Sequence, residues 1–121
     1  MKTVNVNGVD HHVLFNYNAL SDFSDLSGLS IDDLVSIQEK QAADLLGLGQ
    51  IRLLVWCGLK EAALELGEKF ELSVRDVGKF FDPINGKGAK VMAEFLKVFA
   101  GDVQVPDLGQ ETEKKPMPDQ K

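Results

Sequence analysis

A chain of 121 residues, 44% of them apolar, suits one domain built around one core. Its 13 basic and 19 acidic side chains give a formal charge of −6, and Lys60, Lys69, Arg75, Lys79, Lys87, Lys90 and Lys97 stand singly among acids, which argues against binding nucleic acid. A lone Cys57 excludes an internal disulfide, Met1 to Asn5 offers no apolar leader, and no run approaches the roughly 18 apolar residues of a membrane span, so a soluble cytosolic protein with no membrane partner is expected.

The chain opens as a β-hairpin over residues 3–15. Val4 and Val6 alternate with polar residues, and Asn7-Gly8 supplies the positive φ angles of a type I′ turn. That turn sets Val6 opposite Val9 and Val4 opposite His11, so Val4, Val6, Val9, Val13 and Phe15 share one face. Two strands alone are marginal in water, and this face should rest on helices. A first helix over 17–26 carries Ala19, Leu20, Phe23 and Leu26 at helical spacing, with Asn16 or Asn18 at its start and Gly28 closing it.

One phrase then occurs twice: Leu29-Ser30-Ile31-Asp32-Asp33-Leu34 and Leu72-Ser73-Val74-Arg75-Asp76-Val77. Each reads as a helix start. The Ser30 and Ser73 hydroxyls can accept from an orphan backbone N–H of the first turn, and Asp33 and Asp76 fall where a capping-box carboxylate belongs. Leu29 with Leu34, and Leu72 with Val77, have the spacing of a hydrophobic staple. The first phrase opens a helix over 31–46 with Ile31, Leu34, Val35, Ala42, Leu45 and Leu46 on its apolar side and a polar stretch at Gln38–Gln41.

After Gly47-Leu48-Gly49 comes the strongest helix, 50–66. Ile51, Leu54, Val55, Gly58, Leu59, Ala62, Ala63 and Leu66 follow a one-face pattern, and Gly67 suits the position just past its end. A mid-helix glycine costs about 1 kcal/mol, so Gly58 implies close packing. The second phrase opens a short helix over 74–82, stopped by Asp82-Pro83. The last helix, 88–100, turns Met92, Ala93, Phe95, Leu96 and Phe99 inward and ends at Gly101. From Gln104 the chain is proline-bearing and polar, and a disordered tail over 104–121 is expected beyond a globular domain at 1–103. The predicted fold is α+β, mainly α: an N-terminal hairpin packed on a small bundle of about five helices.

Signals for chemistry are few. His11 and His12 are neighbours on a strand and point to opposite faces, so they cannot chelate one ion together. Cys57 lies in an apolar run without a nearby histidine and reads as a buried structural thiol. Asn85-Gly86-Lys87-Gly88-Ala89-Lys90 precedes a helix as a phosphate loop does, yet lacks the Gly-Lys-Ser/Thr ending. Leu72 to Phe81 has the outline of a helix-turn-helix element, but offers only Arg75 and Lys79 where a recognition helix presents several polar readers. No catalytic constellation, metal site or cofactor site emerges, so no enzymatic activity is expected.

One feature points outward. At about 100° per residue, Leu53, Trp56, Cys57 and Leu64 lie opposite the Ile51/Val55/Ala62 stripe. A helix apolar on both sides is either the centre of its domain or bears a partner-binding face. The candidate contact residues are Leu53, Trp56 and Leu64, joined by Phe80 and Phe81 as aromatic anchors for a partner or a second copy of the chain.

The order of these motifs resembles a known family. The Asn-Gly hairpin leads into Phe15-Asn16-Tyr17-Asn18-Ala19-Leu20 and Ser27-Gly28-Leu29-Ser30, followed by Leu54-Val55-Trp56-Cys57-Gly58-Leu59, the Leu72–Val77 phrase and Phe81-Asp82. Together they are similar to the tail assembly chaperones of long-tailed bacteriophages and related gene-transfer agents, over most of residues 1–100. Two departures stand out: Ser21-Asp22-Phe23-Ser24 replaces a more acidic stretch, and the segment 38–48 is longer. The resemblance implies a non-enzymatic protein of the host cell cytoplasm, absent from the mature virion. It would bind the tape-measure protein, keep it soluble and help recruit tail-tube subunits. It also implies a product often made in two lengths by ribosomal frameshifting, with Lys114-Lys115 a place where a slippery codon run would fit. A second reading, from another class, is a small cytosolic regulator acting through DNA or a DNA-binding partner.

Overall fold

The computed structural model describes residues 1–30, 32–33, 47–82 and 87–103. The helix expected over 31–46 beyond its cap, the Asn85-Gly86 start of the glycine loop and the tail at 104–121 lie outside these residues. Within them the chain forms an antiparallel hairpin, β1 (Lys2–Val6) and β2 (Val9–Val13), and four helices: α1 (Tyr17–Ser27), α2 (Leu48–Leu66), α3 (Val74–Phe80) and α4 (Gly88–Asp102). The fold is α+β and mainly α, as the pattern of periodicities implies.

The hairpin has the expected register. Val6 faces Val9 and Val4 faces His11 across the Asn7-Gly8 turn, where both residues take positive φ, 52° and 88°. Asn5 locks the turn from the side: its Oδ1 accepts from the Gly8 N–H at 3.1 Å, and its Nδ2 donates to Asp10 at 2.8 Å. Val4, Val6, Val13 and Phe15 are buried, but Val9 is 57% exposed. Sharing a face with Val13 therefore does not bury Val9, although Val6 directly opposite it is buried at 4% exposure.

The helix ends are built locally. Asn16, not Asn18, caps α1: its Oδ1 accepts from Ala19 N–H at 3.0 Å, and Gly28 closes the helix with φ 82°. Ser30 and Asp33 form a reciprocal capping box, each bond 3.0 Å long. Ser73 and Asp76 repeat it at 2.9 and 3.0 Å. Leu72 and Val77 both join the core, as a staple requires.

Three helix boundaries differ from the sequence expectation by two residues each. α2 starts at Leu48 instead of residue 50, because the Gln50 carboxamide accepts from the Gly47 N–H at 2.9 Å and absorbs Gly49 into the first turn. It ends in a Schellman motif, with Glu68 N–H donating to Ala63 O and Gly67 N–H to Leu64 O. α3 stops at Phe80, short of residue 82, where Phe81 N–H and Asp82 N–H turn back to Gly78 O and Lys79 O in a tight last turn. α4 runs through Gly101 to Asp102, since the Asp102 carboxylate is fastened by Lys2 at 3.0 Å and by the Phe15 N–H at 3.2 Å.

α2 is the hub, touching α1, β2 and α3, while α4 supports β1. Nine of its residues from Ile51 to Ala63 are buried. The close approach implied by Gly58 is there: its carbonyl accepts from Leu14 N–H at 3.0 Å where the chain leaves β2. Phe23, Leu54, Val55, Val77 and Phe95 complete a core closed to solvent. Two predicted inward positions are corrected in α1 and α4. Leu26 is 59% exposed, lying past the last buried turn of α1, and Ala93 faces out while Val98 faces in. Leu66 is likewise 44% exposed, because α2 outruns its neighbours.

Candidate partner-binding surface

The apolar side of α2 opposite its main stripe is partly roofed by the segment between α2 and α3. Trp56 donates its indole N–H to Leu72 O at 2.8 Å and meets the Phe70 ring edge-on at 5.8 Å. Its remaining face lies under the Lys60 ammonium, 5.3 Å from the ring centroid, and Lys60 in turn reaches Asp22 of α1 at 3.2 Å. Satisfying the indole N–H inside the fold lets this large ring sit half-buried without cost to a polar group. Leu53 is half-buried beside it, and Leu64, one turn beyond Lys60, is 60% exposed.

Phe80 and Phe81 lie at the far end of α3 and clasp α4. Phe80 stacks on Phe95 with planes 9° apart and centroids at 6.4 Å, while Phe81 meets the same ring edge-on at 6.0 Å. Phe80 also carries His11 against its other side at 5.0 Å. The five candidate residues therefore do not form one continuous patch of equal exposure. Leu53, Trp56, Phe80 and Phe81 rim the core, and Leu64 is the exposed one of the five. Other large apolar side chains are open as well: Tyr17 at 72%, Leu26, Leu48 at 76% and Leu66. Periodicity turned Leu26 and Leu66 inward, whereas Tyr17 and Leu48, the first residues of their helices, lie outside the repeats.

His12 is exposed and His11 half-buried, on opposite faces of β2 as neighbours must be. Burial lowers the His11 pKa, an effect only partly offset by Asp10. Cys57 is closed to solvent, and its thiol is pushed up to about 12 by burial first and by Asp22 second, with Lys60 opposing. Such a thiol is inert near neutral pH. Glu61, buried at 4% exposure, accepts from Asn16 Nδ2 at 2.9 Å and so ties the α1 cap to α2. That pairing had no signal in the sequence, since Glu61 reads as an ordinary exposed helix carboxylate. Arg75 and Lys79 project from α3, and Lys87 and Lys90 from the start of α4, all exposed.

Among the described residues, no group of three or more His, Cys, Asp or Glu side chains is arranged to hold a metal ion. No described helix is long and apolar enough to cross a membrane. Comparison with family models, with curated proteins and with solved structures gave no match for this chain.

Proposed function

We propose that this chain is a tail assembly chaperone of the kind found in long-tailed bacteriophages and related gene-transfer agents. In this reading it binds the tape-measure protein in the host cytoplasm, keeps it soluble, helps recruit tail-tube subunits, and is absent from the finished virion. The observation that carries the reading is the ordered run of motifs from the Asn7-Gly8 turn to Phe81-Asp82, which resembles that of the family. An acidic module whose central helix ends in open leucines suits transient binding of apolar helices, because the charge keeps it soluble while the leucines offer contact area. We assign the contact to the Leu53/Trp56/Leu64 side of α2 together with Phe80 and Phe81, available to the tape-measure chain or to a second copy.

Co-expression tests it. This reading requires a long coiled-coil protein encoded beside this chain, and that protein is expected to be insoluble alone and soluble when both are made. Leu64→Ser should keep the fold and lower that solubilisation. If the long protein stays insoluble in the presence of the wild-type chain, or if Leu64→Ser and Trp56→Ala both fold and solubilise it normally, the reading or its contact surface is wrong.

A further inference from the structure

Among the described residues, the hairpin leaves one edge open beside a cleft. With a two-residue turn, Val6 and Val9 exchange both backbone bonds, and so do Val4 with His11 and Lys2 with Val13. The amides and carbonyls of Thr3 and Asn5 therefore point away from β2. Among the described residues, no backbone bond from another element reaches them. Edge strands are ordinarily blunted by a bulge, a proline, a projecting lysine or a covering element. β1 pairs without a bulge, contains no proline, and its lysine is turned to Asp102.

Beside β1 lies a cleft of about 660 Å3, with Asn5 and Asn7 on one wall and Lys87, Lys90, Val91 and Glu94 of α4 on the other. Lys2 meets Asp102 at the end of α4 while Asn5 and Asn7 face its beginning, so the helix runs antiparallel to the strand along this cleft. A strand edge flanked by a helix is the arrangement that accepts an extended peptide as an added strand. The volume lies in the roughly 300–1,000 Å3 range of ligand clefts. Charge selects the occupant. Lys87 and Lys90 line the cleft against the single carboxylate of Glu94. In a chain of net charge −6 this is a locally positive groove.

We propose that the β1 edge and the first turns of α4 form a docking groove for an extended, acidic segment of a partner protein. The segment adds as a third strand on Thr3 and Asn5 and directs carboxylates at Lys87 and Lys90. This inference does not depend on the tail-chaperone reading, whose contacts centre on α2 and take helical partners, although Phe80 of that surface lines a hollow adjoining this cleft.

The test uses the 15N-labelled full chain and a doubly blocked Glu-Val-Glu-Val-Glu-Val peptide. Amide shifts are expected at Thr3, Asn5, Asn7 and residues 87–91, with slowed amide exchange at Thr3 and Asn5 once peptide is added. Lys87→Gln combined with Lys90→Gln should weaken binding about tenfold and leave the thermal melt unchanged, both side chains being exposed. A Lys-Val peptide of equal length and the acidic peptide with alternate amides N-methylated should not bind. Absence of shifts at millimolar peptide, equal binding of the lysine peptide, or full binding of the methylated one overturns the proposal. So does slow exchange at Thr3 and Asn5 before peptide is added: the edge is then already filled, by a second copy if protection rises with concentration and by this chain if it does not.

Discussion

Replacing Gly58 with alanine asks whether the hairpin is truly seated on α2. In a solvent-facing helix this change stabilises, by about 1 kcal/mol of helix propensity. Here a Cβ would stand 2.6 Å from Phe15 Cε1, 2.8 Å from Val13 Cγ2 and 3.0 Å from Phe15 Cδ1. Neither neighbour can step aside, since Val13 is fully buried and Phe15 is only 2% exposed, its ring held edge-on to Phe99 at 5.4 Å. Overpacking of this kind costs about 3 kcal/mol at the upper end of its usual range. The Leu14 N–H to Gly58 O bond also lengthens if the strand is pushed off, at about 1 kcal/mol. Offsetting these by the propensity gain leaves a net loss of about 3 kcal/mol, a drop of more than 10 °C in Tm for a domain of this size. Urea denaturation read by circular dichroism measures it, and a double-mutant cycle assigns its cause. In a Val13→Ala background the Gly58→Ala penalty should shrink, because the Cγ2 contact is gone. A Gly58→Ala protein as stable as wild type, or more so, would refute the seating of β2 on α2.

The remaining predictions are local. Ser73→Ala and Ser30→Ala should each lower stability by about 1 kcal/mol through loss of a cap, checked by thermal melts. Bonds from Ser73 hold the Asp76 carboxyl below its ordinary value, so the stability it contributes is present above the ordinary carboxylate range and is lost as pH falls through its lowered pKa. Asp76→Asn should flatten that acidic limb of a stability-against-pH curve. His11 acts in a different window: burial lowers its pKa beneath 6.5, so the folded state binds fewer protons than the unfolded one, and stability declines as pH drops below about 6.5. His11→Gln should remove that decline, with imidazole shifts giving the folded pKa directly. Cys57 should resist alkylation at neutral pH in the native protein and react in urea; labelling of the folded chain at the rate of a free thiol would contradict its burial.

The sequence by itself determined what depends on a few consecutive residues. Asn7-Gly8 set the turn and thereby the whole register, because a two-residue loop leaves no choice of pairing. Ser73 and Asp76 set the start of α3, since both partners of the box lie within one turn. Gly28 and Gly67 marked helix ends because their positive φ is costly for other residues. Gly58 showed that something approaches α2, but only the folded chain named Phe15 and Val13 as what does.

Tertiary structure decided the rest wherever the answer depends on a distant partner. Helical spacing offered Leu26, Ala93 and Leu66 to the core, and their exposure follows from where neighbouring elements stop. α4 outlasted Gly101 because Lys2 and Phe15, far off in sequence, hold Asp102 in its final turn. Trp56 could have been a free anchor or part of the fold. Its indole N–H found Leu72 O, Phe70 meets it edge-on and Lys60 lies over the ring, which leaves it half-buried, a placement that periodicity cannot express because it depends on how the chain returns after Gly67. Local bonds are written in neighbouring residues, whereas burial is a property of whatever else comes to lie on the same face.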